Sequence, residues 1–394
     1  MRLLNQIVAV TVLNLRNLPK RLGSSLVAIL GVAAVVVVFA AVLSMANGFE
    51  RTLLSAGSDD TAIIMRSGAT SELSSGVSAQ QVQIIETSPG VLRDGDTALV
   101  SAELYVVVDV KKKATNEDAN VPFRGVELGA FDVRRNIDIV QGRVFEPGKN
   151  EFVVGRAAQQ EFVGLDVGET IRFGQTEWTV VGVFEAGGSV AESELWTDVR
   201  VLQAAYRRGN SYQSVRVRLE SEESLAILEQ TLADDPRINV DVVSERAYYA
   251  SQAEQTTGLI RGLGYPLMIL MSIGAVFGAL NSMYSSISVR GKEIATLRAI
   301  GFGPFAVLVS TVVESTLLAL IGGLIGAAAA FIAFNGFQAS TLGASFSQVV
   351  FDFAVTPDLL MQGLQAALVI GVVGGLFPAI RAARLPVAQA LREL

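Results

Sequence analysis

Four long apolar blocks restrict this chain more than any other feature it has. Residues 22–46, 262–284, 305–337 and 359–380 each approach or exceed the roughly 18–20 residues that cross a bilayer core of about 30 Å. Residues 262–289 carry no charged side chain, and residues 305–337 carry one, Glu314. Half of the 394 residues are hydrophobic (51%) and only 18% are charged, with the apolar ones gathered in these blocks. Backbone in hydrocarbon must satisfy its own hydrogen bonds, so each block is expected to be a transmembrane helix. The apolar run at 26–43 exceeds the 7–15 residues typical of a cleaved signal, and no small-x-small cleavage site follows. The expectation is a retained anchor.

Basic residues orient the spans. Arg2, Arg16, Lys20 and Arg21 precede the first, Arg290, Lys292 and Arg298 separate the second from the third, and Arg381, Arg384 and Arg392 follow the fourth. Residues 335–358 contain no Lys or Arg. The positive-inside rule then places both termini and the Arg290 loop in the cytoplasm. It divides the chain into residues 1–21 (amphipathic leader helix), 22–46 (first span), 47–261 (outer domain), 262–284 (second span), 285–304 (cytoplasmic loop), 305–337 (third span), 338–358 (short outer loop), 359–380 (fourth span) and 381–394 (cytoplasmic tail). In the leader, Leu3, Leu4, Ile7, Val8, Val12, Leu13 and Leu15 are apolar, while Arg2, Asn5, Asn14, Asn17 and Arg21 are placed toward headgroups and water. Such a helix lies in the interface or serves as a basic leader, and Pro19 separates it from the first span.

The outer domain is long enough to bury its own core. Residues 97–110, 151–154, 170–173, 178–184 and 214–219 read as strands, and 77–86, 156–163 and 222–233 as helices. The fold class is therefore an α-helical membrane protein with four transmembrane helices and a mixed α+β, two-lobed domain between the first two. Residues 111–120 read as a solvated, turn-like insert, and 248–261 as a helical stalk.

The segment from Arg290 to Gly301 is charged yet helically ordered. Ile287, Ile294, Leu297 and Ile300 recur at helical spacing, with Arg290, Lys292, Glu293 and Arg298 elsewhere. An apolar ridge beside a charged flank suits docking into a partner's groove; the alternative is a turn that only orients two helices. Gly274/Gly278, Gly322/Gly326 and Gly371/Gly375 have GxxxG spacing, suited to helix packing within one chain or between two. Glu314 lies about 13 Å along the third span at 1.5 Å per residue, where a charge is costly. A structural or coupling role is favoured over proton carriage, since no other span carries an ionisable residue.

Several chemistries are absent. There is no cysteine and no histidine, which excludes disulfides, His-based triads and ordinary zinc sites. The Gly-Lys pairs at Gly148 and Gly291 are followed by Asn150 and Glu293, so neither forms a P-loop. No GxSxG or SxxK motif occurs. The acidic pairs Glu192/Glu194 and Asp234/Asp235 read as loop-solvating residues. The net charge of −7, without a basic aromatic cluster, does not favour nucleic acid.

The segment Arg290–Gly301, the third-span run from Glu314 through Gly322, Gly323 and Gly326, and the tail with Pro378, Arg384, Pro386 and Arg392 resemble the permeases of the MacB/FtsX/LolC superfamily of ATP-binding cassette systems. In the outer domain, Gly142-Arg-x-Phe145, Glu151-Phe-Val-Val-Gly155 and Trp178-Thr-Val-Val-Gly-Val183 resemble the family's periplasmic core domain. The resemblance implies a non-catalytic permease of the inner membrane, a homodimer or a pair with a paralogous permease. It would bind no cofactor, ATP and magnesium residing on a dimeric cytosolic ATPase. Arg290, Lys292, Glu293, Ile294, Leu297, Arg298, Ile300 and Gly301 would couple to that ATPase, while Glu314, Gly322, Gly323 and Gly326 would serve within the membrane. Lacking an attached ATPase, the chain resembles stand-alone permeases of the DevC kind, implying export through a periplasmic adaptor and outer-membrane channel. LolC-like lipoprotein release and FtsX-like activation of a cell-wall hydrolase are the alternatives, and FtsX outer domains tend to be smaller.

Overall fold

The computed structural model describes residues 3–17, 22–343 and 345–387. Arg2, Pro19, Lys20, Arg21 and Arg392, to which the sequence assigned topological roles, lie outside the described residues. The chain forms two compact units, one of Met1–Asn47, Leu259–Phe337 and Phe353–Leu394, the other of Gly48–Gly258 and Gln338–Asp352.

In the first unit, the apolar blocks are helices Leu22–Leu54, Glu245–Val289, Pro304–Phe334 and Pro357–Ala383, all long and apolar enough to cross a membrane. The first two extend beyond the unit at one end, so span and stalk are one continuous helix in each. Pro304 and Pro357 stand in the first turn of their helices, where a missing N–H is not needed. Small residues set the packing. A Cβ built on Gly322 would lie 2.5 Å from the Ile29 carbonyl oxygen, and one on Gly326 would lie 2.6 Å from that of Ala33. One on Gly371 would lie 2.7 Å from the Ala319 Cβ, and one on Gly375 2.6 Å from the Ser315 Cβ. Two GxxxG pairs therefore close the third span onto the first and the fourth. Gly274 and Gly278 meet nothing within 4 Å. Their helix is also the least covered, with 11% of its most apolar stretch buried against 39–44% for the others.

The second unit is built on a ten-stranded sheet. Its strands run in the order Val240–Ser244, Thr61–Arg66, Ser214–Arg218, Val100–Lys111, Asp118–Val126, Leu195–Asp198, Glu151–Gly155, Thr176–Glu185, Asp138–Gly142, with Thr170–Phe173 beside Thr176–Glu185. Pairing is antiparallel except Leu195–Asp198 with Asp118–Val126 and Thr176–Glu185 with Glu151–Gly155. The long strand Val100–Lys111 belongs to two lobes in succession. Its residues Val100–Glu103 pair with Val217–Ser214, and Leu104–Lys111 pair with Gly125–Asp118. Each lobe has its own core, one around Ile64, Ile85, Val215 and Leu228, the other around Phe123, Phe152, Phe173 and Trp178.

Three segments differ from their sequence reading. Residues 111–120 are not an insert but the ends of two paired strands and their turn, with Asn116 at positive φ. The region read as a short outer loop holds the hairpin Gln338–Leu342/Gln348–Asp352, which belongs to the outer unit. Glu192 and Glu194 are buried, not loop-solvating. Glu192 accepts from the backbone N–H groups of Ala186 and Gly188, both at 2.7 Å.

Candidate functional site

The segment after the second span folds as a short helix, Gly291–Ala299, joined almost directly to the helix before it. The Arg290 N–H still reaches the carbonyls of Ser286 and Ile287, so one residue makes the bend. The helix ends in a Schellman arrangement: Phe302 N–H donates to Leu297 O and Gly301 N–H to Arg298 O. Gly301 has φ +101°, a conformation that costs little only without a Cβ. Pro304 then starts the third span.

Two residues of the ridge expected to face a partner, Ile287 and Ile294, face the protein's own bundle instead. Ile294 and Ile287 are buried with Val307 and Ala382, and Leu385 packs against them. A nine-residue helix has too few turns to stand alone in water, and burying this stripe stabilises it. Leu297 and Arg298 are half-buried, the latter donating to the Leu385 carbonyl at 2.6 Å. The surface left open is made by Lys292, Glu293, Thr296, Ala299, Ile300 and Gly301, with Ile300 69% exposed.

Arg290 also turns inward, while its Nε stays 3.5 Å from Glu293 Oε2 on the charged flank. It is 4% exposed; its Nη1 donates to Glu314 Oε2 at 2.9 Å and its Nη2 donates to Asn14 Oδ1. Asn14 Nδ2 in turn donates to Ser310 Oγ at 3.3 Å. Asn14, assigned to headgroups and water, is buried, because its hydrogen bonds to Arg290 and Ser310 compensate its desolvation. Gln6 adds a second tie from the leader helix Leu3–Asn17, accepting from Gly303 N–H at 3.3 Å. Three elements are thus clamped together: leader helix, short helix and third span. Glu314 does have an ionisable neighbour, supplied from the end of the second span. Gly322 and Gly326 face the first span and Gly323 the fourth. The contact of Asn14, Gln6 and Ser310 with this site was not evident in the sequence, since polar residues on an amphipathic helix read as water-facing.

A second charged cluster lies at the lobe seam of the outer unit. Glu103, Arg124 and Arg216 project from neighbouring strands; Glu72, Arg134, Glu194 and Glu245 join them, and all are buried. Arg124 Nη1 is 2.7 Å from Glu72 and 2.8 Å from Glu103, and its Nη2 is 2.7 Å from Glu194. Arg216 Nη1 reaches Glu72 at 2.9 Å and also Glu103. Burial would raise the Glu103 carboxyl, but Arg134, Arg216 and Arg124 bring it down to about 2. Burial likewise opposes ionisation of Glu72, and Arg124 and Arg216 hold it well below the usual range. At Glu245 burial prevails and its pKa is raised despite Arg216. Such pairing is a structural signature; among the described residues no acidic cluster is arranged to hold a metal.

Four spanning helices with a sheet domain inserted after the first, and a clamped amphipathic helix between the second and third, define a permease-type membrane protein. The chain belongs to the MacB-like and FtsX-like permeases of ATP-binding cassette systems. Residues 25–234, more than half of it, match the MacB-like periplasmic core domain, and residues 266–387 match the FtsX-like permease C-terminal domain. Among curated relatives, the macrolide export ATP-binding/permease protein MacB of Vibrio parahaemolyticus is 25% identical over 92% of this chain and 56% of its own length. That of Bdellovibrio bacteriovorus is 27% identical over 94% of this chain and 59% of its own length. The chain thus spans little more than half of these relatives. Among solved structures, the periplasmic region of MacB from Actinobacillus actinomycetemcomitans aligns over 49% of this chain and 92% of its own, at 14% identity and TM-score 0.37. The extracellular domain of the transporter YknZ from Gram-positive bacteria aligns over 47% of this chain and 100% of its own, at 18% identity and TM-score 0.35.

Proposed function

We propose that this chain is a non-catalytic permease subunit driven by a cytosolic ATPase whose nucleotide site lies outside these 394 residues. The observation that carries the proposal is the Arg290 clamp. A short helix fixed by buried polar bonds to the leader helix and the third span is a lever: force on its open face moves helices instead of bending a loop. That face, with Lys292, Glu293, Thr296 and Ile300, is where the ATPase docks. Arg298 and Leu297 support the helix from below, while Ile294, Arg290 and Gly301 hold its position and its end. ATP and magnesium reside on the ATPase, and the permease acts as a dimer, with Gly274 and Gly278 on an uncovered helix available to a second copy. The distribution of basic residues supports an orientation with the clamp and both termini in the cytoplasm and the sheet domain outside the inner membrane.

The output is export, with the outer domain joined to a periplasmic adaptor and an outer-membrane channel. The relatives' macrolide-export names support export over lipoprotein release or activation of a cell-wall hydrolase. The chain has no cysteine, so a cysteine placed at Ile300 is unique. In membranes, Ile300→Cys is expected to crosslink to a co-purifying ATPase, while Glu229→Cys in the outer domain does not. Equal crosslinking at both positions, or none at Ile300, removes the docking assignment.

A further inference from the structure

The seam cluster binds more than two lobes. Helix Glu245–Val289 begins in the outer unit, and Glu245, Tyr248, Tyr249 and Gln252 are among its buried residues there. Their spacing of three, four and seven puts them on one helical face. Glu245 Oε1 lies 3.2 Å from Arg216 Nε, and Tyr249 Oη accepts from Arg216 Nη2 at 3.3 Å. Tyr248 Oη accepts from the Glu72 N–H at 3.4 Å, and Gln252 Nε2 donates to Thr70 O at 2.9 Å. Arg216 belongs to one lobe and Arg124 to the other, and Glu72 and Glu103 each bind both guanidiniums. The hairpin is tied in nearby: Tyr105 Oη and Ser347 Oγ are 2.7 Å apart, and Val350 N–H donates to Ser193 Oγ at 2.9 Å.

Apolar contacts tolerate sliding because they have no direction. Buried charge-assisted hydrogen bonds do not, since a small rotation leaves a charge without its partner. We infer that this cluster is the joint through which displacement of helix Glu245–Val289 reaches both lobes of the outer domain, with Glu245 and Tyr249 as positioning residues on the helix side. Its use rests on the proposed function, in which that helix is moved by the ATPase; the joint itself is testable without one.

Spin labels on the full chain in lipid nanodiscs test it, using cysteines at the exposed positions Glu254 on the helix, Glu229 on one lobe and Glu177 on the other. The helix-to-lobe distances of the parent chain are expected to be narrow for both lobes. Glu245→Gln with Tyr249→Phe should abolish the narrow distribution in both pairs at once and leave the lobe-to-lobe distance narrow, since Glu72, Glu103, Arg124 and Arg216 remain. Leu228→Ala removes core volume from one lobe without touching the cluster, and should lower the melting temperature while all three distances stay narrow. Tyr249→Phe alone, which retains every charge, should broaden both helix-to-lobe distances to a lesser degree. Unchanged distances in the double variant, or the same broadening in Leu228→Ala, overturn the joint whatever the crosslinking at Ile300 shows. Loss of that crosslink with intact joint behaviour overturns the ATPase assignment instead.

Discussion

Removing the Glu314 carboxylate would take from the buried Arg290 guanidinium its 2.9 Å ionic partner and leave it to Asn14 and the half-exposed Glu293, 3.5 Å from its Nε. Breaking such a pair from one side costs about 3–5 kcal/mol, whereas replacing both partners with apolar residues of similar volume is often close to neutral. Glu314→Gln is therefore expected to lower the unfolding free energy of the detergent-solubilised chain by about 3 kcal/mol. Combining Glu314→Leu with Arg290→Met should recover most of the loss. Chemical unfolding of the parent, the single variants Glu314→Leu and Arg290→Met, and their combination measures this, and additive effects would show that the pair is not coupled. Glu314 stood out in the sequence because a carboxylate in hydrocarbon is conspicuous. Arg290 did not, because a basic residue after an apolar span reads as a topology marker. The same limit hid Glu103 and Arg124. Strand alternation puts Ser101, Glu103 and Tyr105 on one face, a pattern ordinarily read as solvent-facing, and only pairing with residues distant in sequence shows that face to be covered.

At the level of helices, the glycine pairs were legible in the sequence and their partners were not. Spacing identified three candidate contacts; the structure sorts them into two closed and one open. Gly326→Leu must force the third span away from Ala33, and is expected to yield a bundle that aggregates or melts well below the parent on extraction. Gly274→Leu meets open space, and should leave the isolated bundle's stability near that of the parent. Thermal melts monitored by helical circular dichroism separate the two, and equal loss in both would contradict the packing described. The short helix Gly291–Ala299 shows a related limit. Periodicity found the helix but not the direction of its apolar stripe, because an amphipathic pattern states that one face is buried without saying by what. Here the protein's own Ile287 and Val307 pack on Ile294, and the open surface is the side with Lys292, Glu293 and Thr296 together with Ile300.

Across the whole molecule, span number, domain insertion and the two-lobed mixed sheet domain followed from hydropathy and strand signals. The hairpin at residues 338–352 did not, because ten strand residues between two spans look like a loop until they are grouped with the domain they join. In the proposed function, force enters at the open face of the short helix and is carried through clamped elements. ATP hydrolysis by the co-purified ATPase, with the permease in nanodiscs, tests it most directly. The parent permease should stimulate hydrolysis, and Lys292→Glu with Ile300→Asp, both exposed and outside the Arg290 clamp, should abolish stimulation while leaving the permease's melting temperature unchanged. Full stimulation by that variant would contradict the claim.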